Sequence, residues 1–368
     1  MKTMKTMKTM KTMKTMKTMK TMKTINLLFL LSVVIFSGCS KNNYDPINFN
    51  LYDNGYFITN EGNFGSGNGS ISFVNDNGIV EHDVFATNNS FILGDVVQSM
   101  NIINNKAYIV VNNSSKIEVA AVDSMKAVTT IDVLSPRYIC QVTENKAYIT
   151  DWGTNSVKVL NLNSNIISSS ISCGIGPEAI VVNNEYAYIC NIGGWGLDNT
   201  ISIINTSTDI LEKTLVVGDK PNSVVVDISG NIWVLTGGYT EYDENWNIVS
   251  ETAGNLVKIV NNSIEKTFSF PLGNHPKDLV INDIGTTLYF SDGSWNKSVY
   301  SMNIYDTELP NSPLINRSFY SLDCNNGYIY GTDAVDYVQQ GWSYRYMENG
   351  QIVDSVQTGI IPGGYCFN

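Results

Sequence analysis

Apolar and polar residues alternate along this chain in short runs, and no long stretch carries the 3.6-residue spacing of a helix. Ser156-Val157-Lys158-Val159-Leu160 and Thr200-Ile201-Ser202-Ile203-Ile204 put every second side chain on one face, the pattern of a half-buried strand. The runs also recur. Asn105-Lys106-Ala107-Tyr108-Ile109-Val110 returns 40 residues later as Asn145-Lys146-Ala147-Tyr148-Ile149-Thr150, with looser copies elsewhere. Aligned on the aromatic, the copies fall at Tyr56, Tyr108, Tyr148, Tyr188, Trp233, Tyr289 and Tyr328, a mean spacing of about 45 residues. That period suits a propeller blade of four short strands. The pattern predicts an all-β, seven-bladed β-propeller with four antiparallel strands, A to D, in each blade.

Each unit has one internal order. A Pro-bearing turn (Ser135-Pro136, Gly176-Pro177, Lys220-Pro221, His275-Pro276) leads into strand A, a short polar turn follows, and the aromatic run is strand B. The C-terminal run Gly364-Tyr365-Cys366-Phe367 follows Ile361-Pro362 as a strand A should, but has no strand B after it. Tyr56 to Thr59 is a strand B without a Pro-led strand A before it. The two termini are therefore expected to complete one blade and close the ring, removing two exposed edges. No linker interrupts the period, so residues 48–368 are read as one domain.

Residues 1–38 read as a targeting segment. Met-Lys-Thr repeats through Thr24, Ile25 to Phe36 is apolar with the length of a secretory h-region, and Phe36-Ser37-Gly38-Cys39 follows. This ending resembles the bacterial lipobox, which implies lipidation of Cys39, with residues 39–47 as a tether to the outer membrane. After residue 38 the chain has 15 basic against 34 acidic side chains, a formal charge of −19. Such a body does not seek phosphate backbones. Two histidines, His82 and His275, cannot build a His-rich zinc centre, and no calcium-loop motif is present. No metal site is expected. The five cysteines beyond Cys39 lack CxxC spacing and mostly sit in apolar runs, as small buried hydrophobes do.

The loops carry the chemistry. In an up-and-down blade the D–A turn and the B–C loop emerge on one face, and here the B–C loops are long and aromatic. Trp152, Trp195, Trp246, Trp295 and Trp342 follow strand B or lie in the loop after it, Phe64 takes that place in the first unit, and Tyr239 adds a ring. Large rings gathered on one face suit a flat or bulky ligand, each supplying contact area at low entropic cost. Asn60, Asn112, Asp151, Asn191, Asp292 and Asp333 stand at the strand mouths, where turn capping competes with ligand contact. Arg137 and His275 sit on D–A turns of the same face, and His275 is a candidate ligand to a metal-bearing guest. No catalytic constellation stands out, so the protein is not expected to be an enzyme and needs no catalytic cofactor.

Tyr56-Phe57-Ile58-Thr59-Asn60-Glu61-Gly62-Asn63-Phe64-Gly65 resembles the opening of the YncE-like seven-bladed propeller lipoproteins of Bacteroidetes, a group that includes the cobalamin-binding BtuG. Gly218-x-x-Pro221 and Gly230-Asn231-Ile232-Trp233-Val234-Leu235-Thr236-Gly237-Gly238 are similar to that group as well. The resemblance implies a surface lipoprotein that binds cobalamin or a related corrinoid and passes it to a TonB-dependent outer-membrane transporter of the BtuB type. A rim of Trp, Tyr and Phe with Asn and Asp between them fits a broad disc fringed by carboxamides. Three other readings stay open: a glycan-binding lipoprotein, a propeller lactonase or lyase, and a scaffold for another outer-membrane protein.

Overall fold

Antiparallel meanders of short strands account for most of the computed structural model, which describes residues 51–293 and 298–368. The targeting segment with Cys39 and the loop residue Trp295 lie outside the described residues. The meanders form seven sheets, one per blade, as the repeat predicts. The third blade is representative: strand A is Pro136–Thr143, B Lys146–Asp151, C Ser156–Asn161 and D Ile166–Ser172. Six sheets have four strands. The sixth has three among the described residues (Lys277–Ile281, Thr287–Ser291, Val299–Asn303), and a single antiparallel bridge from Val299 to Ile315 stands in place of its fourth.

Burial follows strand position. Strand B of the third blade is covered from Ala147 to Asp151, whereas strand D alternates between exposed and partly buried residues. This is why the repeat is visible at strand B: Ala, an aromatic and Ile pack on both faces there, while strand D needs only one apolar face. The A strands of neighbouring blades contact one another around the ring and so form its inner wall.

The repeated tyrosine does more than fill space. Tyr108 Oη donates to Asn165 Oδ1 at 2.9 Å, Tyr148 Oη donates to Asp209 Oδ1, and Tyr188 Oη donates to Asn262 Oδ1. In each case the acceptor lies on the C–D turn of the next blade, at a positive φ of 54°, 58° or 58°. Asn and Asp tolerate that left-handed conformation better than other side-chain-bearing residues. One residue thus turns the hairpin and receives the neighbour's hydroxyl.

The ring closes as the termini predict. Strand Pro362–Phe367 is strand A of the first blade, pairing with strand B, Gly55–Asn60, in the register Tyr56↔Phe367, Phe57↔Cys366 and Ile58↔Tyr365. An aromatic cluster packs this seam: Tyr330 lies 5.2 Å from Tyr56, 5.4 Å from Tyr365 and 5.0 Å from Phe367, ring centre to ring centre. Tyr365 Oη also bonds Ser343 Oγ at 2.9 Å.

Two features depart from the simple meander. A two-stranded hairpin, Tyr239–Tyr242 with Ile248–Thr252, is inserted between strands B and C of the fifth blade. A short helix, Val84–Asn89, packs Val84 and Phe85 into the core at the first D–A connection. Among the described residues no helix is long and apolar enough to cross a membrane. Cys140, Cys173, Cys190, Cys324 and Cys366 are all free, and burial pushes the Cys140 thiol up to about 11.

Deleting residues 363–368 removes the seam strand and bares the inner edge of strand B, Gly55–Asn60. Thermal melting followed by circular dichroism should show a drop of well over the roughly 2–4 °C that a loss of 1 kcal/mol brings. An unchanged melting temperature would refute closure by the last strand.

Candidate functional site

The start of each strand A determines what faces the axis. In six blades the A–B register breaks just after strand A begins: between Pro362 and Gly364, Val97 and Ser99, Pro136 and Ile139, Pro177 and Ile180, Pro221 and Ser223, and Lys277 and Val280. Bulges of this kind re-aim side chains. The skipped residues include Gln98, Arg137, Tyr138, Glu178, Asn222 and Asp278, all of which line cavities at the mouth of the ring. Proline suits the preceding position because it gives up no ladder hydrogen bond at a strand's first residue.

Backbone bonds tie each D–A turn to the B–C loop of the same face. Asn112 N–H donates to Val96 O, Trp152 to Ser135 O, Ile192 to Gly176 O and Gly237 to Lys220 O, all between 2.8 and 3.0 Å. Gly176 is required here: its φ is 62°, and a Cβ on it would stand 2.1 Å from Gly194 N.

Charges at the mouth are held in pairs. Arg137 meets Glu178 through two parallel bonds, Nε to Oε2 and Nη2 to Oε1, each 2.8 Å, and its Nη1 donates to Gln98 Oε1. The guanidinium lies over the Trp152 ring at 4.2 Å. Burial opposes the charge on Arg137, but Glu178 outweighs it and raises the pKa. Tyr320 Oη donates to both carboxylate oxygens of Glu61 at 3.1 Å, while burial raises the Glu61 pKa. Lys277 Nζ donates to Tyr320 O at 2.6 Å and forms an ion pair with Asp278 Oδ2 at 3.2 Å. Burial raises the Asp278 pKa as well.

Around this floor open two cavities of about 520 Å³ each, sharing Tyr138, Lys277 and Asp278. Phe64, Trp152 and Trp195 wall the first; Tyr239, Tyr242 and His275 wall the second. A third, of about 370 Å³, adjoins at Lys277 and Tyr320 and is lined by Arg317, Asp333 and Tyr337. Trp195 is 95% exposed and meets Trp152 edge to face at 6.2 Å. Its ring is presented to solvent, not stored under its loop.

Of the residues singled out from sequence, Phe64, Arg137, Trp152, Trp195, Tyr239 and His275 come together at these cavities. Of the strand-mouth residues, Asn112 and Asp333 line the cavities, whereas Asn60, Asp151, Asn191 and Asp292 do not. Asn60 Nδ2 donates to Ser70 Oγ and Ser72 Oγ, and its Oδ1 accepts from Gly359 N–H. Asp151 caps the Ser135 and Gly153 N–H groups, Asn191 bonds Thr200 and Ser202, and buried Asp292 accepts from Ser298 N–H. Trp246 stands at the tip of the inserted hairpin, 82% exposed. Trp342 belongs to strand C of the seventh blade, Gln340–Met347, rather than to the loop before it. Both nitrogens of His275 are engaged, Nδ1 with Gly237 O at 2.9 Å and Nε2 with Thr240 Oγ1 at 3.1 Å, so neither is free to ligate a metal. Among the described residues no group of three or more His, Cys, Asp or Glu could hold a metal ion.

Sequence reasoning missed Glu61, Tyr138, Glu178, Lys277, Asp278 and Tyr320. A signal for two of them was present. Glu178 and Lys277, like Arg137, directly follow the Pro of a D–A turn, but their polarity alone does not distinguish an axis-facing bulge from a solvated turn.

A family model described as a domain of unknown function, DUF5074, matches residues 54–332, and the chain belongs to that family. No curated protein matches. Among solved structures, a proposed 6-phosphogluconolactonase from Bacteroides fragilis superposes with a TM-score of 0.59 at 11% identity, over 85% of this chain and 98% of that one. Hydrazine synthase from Kuenenia stuttgartiensis superposes with a TM-score of 0.53 at 14% identity, over 75% of this chain and 92% of the other. At such identities the likeness carries the fold alone.

Two stability measurements test the electrostatics. Glu178→Ala should cost about 3–5 kcal/mol in chemical denaturation by leaving Arg137 buried and unpaired, whereas Arg137→Met combined with Glu178→Leu should cost less. A double variant no better than Glu178→Ala would show that the pairing is not what matters. On the inner wall, Asp323 in strand A of the seventh blade is pushed up to about 7 by burial. The folded state therefore holds a proton that the unfolded chain releases near pH 4, so stability declines from about pH 4 to pH 7. Asp323→Asn should be more stable than the parent at pH 8, on the order of 1–3 kcal/mol, with the gap closing toward pH 4. A constant gap across that range would count against the assignment.

Proposed function

We propose that this DUF5074 protein captures a corrinoid, cobalamin or a close relative, in the joined cavities at the mouth of the ring. It acts as a carrier rather than an enzyme. Lipidated at Cys39 and held at the outer membrane on the cell surface, it hands its guest to a TonB-dependent transporter of the BtuB type.

One observation carries the reading: a basin of three connected lobes with aromatic walls around a charge-balanced floor. Arg137, Lys220, Lys277 and Arg317 face Glu61, Glu178, Asp278 and Asp333 across the three cavities. Four cations matched by four carboxylates leave the floor with no local excess of charge, and the −19 of the body disfavours an anionic guest. Such a floor suits a polar guest of little net charge, and the rings of Trp152, Trp195 and Tyr239 suit its broad apolar face. With both His275 nitrogens in use, recognition rests on the periphery of the guest and not on its cobalt.

Calorimetry with cyanocobalamin and, in parallel, a panel of oligosaccharides tests this. Trp195→Ala removes an exposed ring without disturbing the core and should weaken cyanocobalamin binding by about 2 kcal/mol, roughly 30-fold. Trp246→Ala, at the hairpin tip, should matter less. Heat with a sugar and none with the corrinoid would move the protein to the glycan-binding class.

A further inference from the structure

The B–C loop of the seventh blade holds two side chains in a backbone conformation that disfavours them. Val335 has a φ of 55° and Tyr337 a φ of 63°. Most residues at positive φ in the described chain are Gly, Asn or Asp, which tolerate it, whereas a β-branched or bulky side chain is crowded there. Val96 and Ile361 share the conformation but are 9% and 8% exposed, so packing offsets their strain. Val335 and Tyr337 are 46% and 54% exposed and receive little such return.

The surroundings hold the loop in place. Val335 N–H donates to Asp333 Oδ1 at 2.8 Å, and Tyr337 N–H donates to Ala334 O at 2.9 Å. Asn63 Nδ2 of the first blade's B–C loop donates to Tyr337 O, and the Tyr337 ring meets Tyr320 edge to face at 5.8 Å. Both strained residues line the third cavity. Strain maintained by its surroundings beside a cavity, at side chains open to solvent, points to a return that arrives with the guest.

The cavity indicates what that guest presents. At about 370 Å³ it is smaller than the 520 Å³ lobes beside it, and it joins the first of them at Lys277 and Tyr320. It suits an appendage rather than the main disc. Tyr320 and Tyr337 supply ring faces set at an angle, Val335 supplies apolar area, and the Arg317 to Asp333 pair, each side chain about a third exposed, supplies a polar edge. Flat faces with a donor and an acceptor beside them match a planar heteroaromatic base.

We propose that Val335 and Tyr337 bind the heteroaromatic base that a complete corrinoid carries on its nucleotide tail, so that the protein selects complete corrinoids over those without the tail. This rests on the corrinoid reading above and deepens it: the third lobe reads the tail while the larger lobes take the ring. Val335 and Tyr337 are specificity-determining residues in this scheme, and Asn is the replacement that keeps their backbone conformation.

The probes are cyanocobalamin and dicyanocobinamide, which has the same macrocycle but lacks the phosphate, ribose and base. Calorimetry on the full-length protein should show cyanocobalamin binding about 10-fold or more tightly than dicyanocobinamide. Val335→Asn combined with Tyr337→Asn should narrow that preference to within about 3-fold. Without ligand, Val335→Asn should melt above the parent, because Asn relieves the strain and no core contact is lost. A Val335→Asn protein that melts below the parent would show that the residue is not strained and overturn the inference whatever the ligand. If the parent binds the two corrinoids alike, the inference falls while the corrinoid reading survives. A folded double variant that keeps the full preference also overturns it. If neither corrinoid binds, the corrinoid reading falls first and takes this one with it.

Discussion

The hydroxyl of the strand-B tyrosine, reaching across to the next blade's C–D turn, is the bond on which the ring is organised. Blades that touched only through aliphatic faces would be free to slide, since apolar contact is non-directional. A donor fixed at one height and an Asn or Asp fixed at another set the offset between neighbours at Tyr108, Tyr148 and Tyr188. Tyr148 shares its acceptor with Lys146, whose ammonium lies 2.7 Å from Asp209, so one carboxylate holds two side chains of the preceding blade. Where the chain ends meet, the cluster of Tyr56, Tyr330, Tyr365 and Phe367 packs the seam instead.

With the blades held in place, the inner strands can carry irregularity without collapsing the ring. In five blades the bulge at the start of strand A spends ladder hydrogen bonds to push a polar residue toward the axis, and the turn-to-loop bonds restrain the backbone around it. The result is a floor of paired ions set into a mostly apolar body. Exposed pairs of this sort add little stability, and buried ones cost desolvation. The Arg137 to Glu178 pair therefore reads as a device for shape and selectivity: it holds a guanidinium flat against Trp152 and fixes the wall that a guest meets.

Much of the architecture was legible because its signals are local. The strand-B string, the Pro-led strand A and the orphaned C-terminal run each report on a few adjacent residues, and together they give seven blades and the mode of closure. The site was legible only where bulk was unusual. Trp152, Trp195 and Phe64 stand out as large rings in loops, and the cavities use them. Asn60, Asp151 and Asn191 look identical in sequence to ligand contacts, but their side chains bond to neighbouring strands and turns, Asn60 reaching Gly359 of the seventh blade. Trp342 was misplaced because the seventh blade extends strand C back to Gln340, shortening the loop. Glu178 and Asp278 were hidden for a different reason: their direction is set by a break in register, and register depends on the partner strand rather than on the residue itself.

The hairpin between Tyr239 and Thr252 is a ribbon with two open edges, carrying Tyr242, Trp246, Ile248 and Val249 in solvent. Ribbons of that composition tend to stack on one another. What keeps this one apart is charge: Glu241, Asp243, Glu244 and Glu251 lie along it, and between Tyr239 and Thr252 there is no cation to neutralise them. Hydrogen bonds from Asn247 and Asn245 hold Asp243 below the usual carboxylate range, which keeps that gatekeeper ionised further into acid than a free carboxylate. As the medium turns acid and these carboxylates take up protons, the arm loses its repulsion and becomes the place where molecules first adhere.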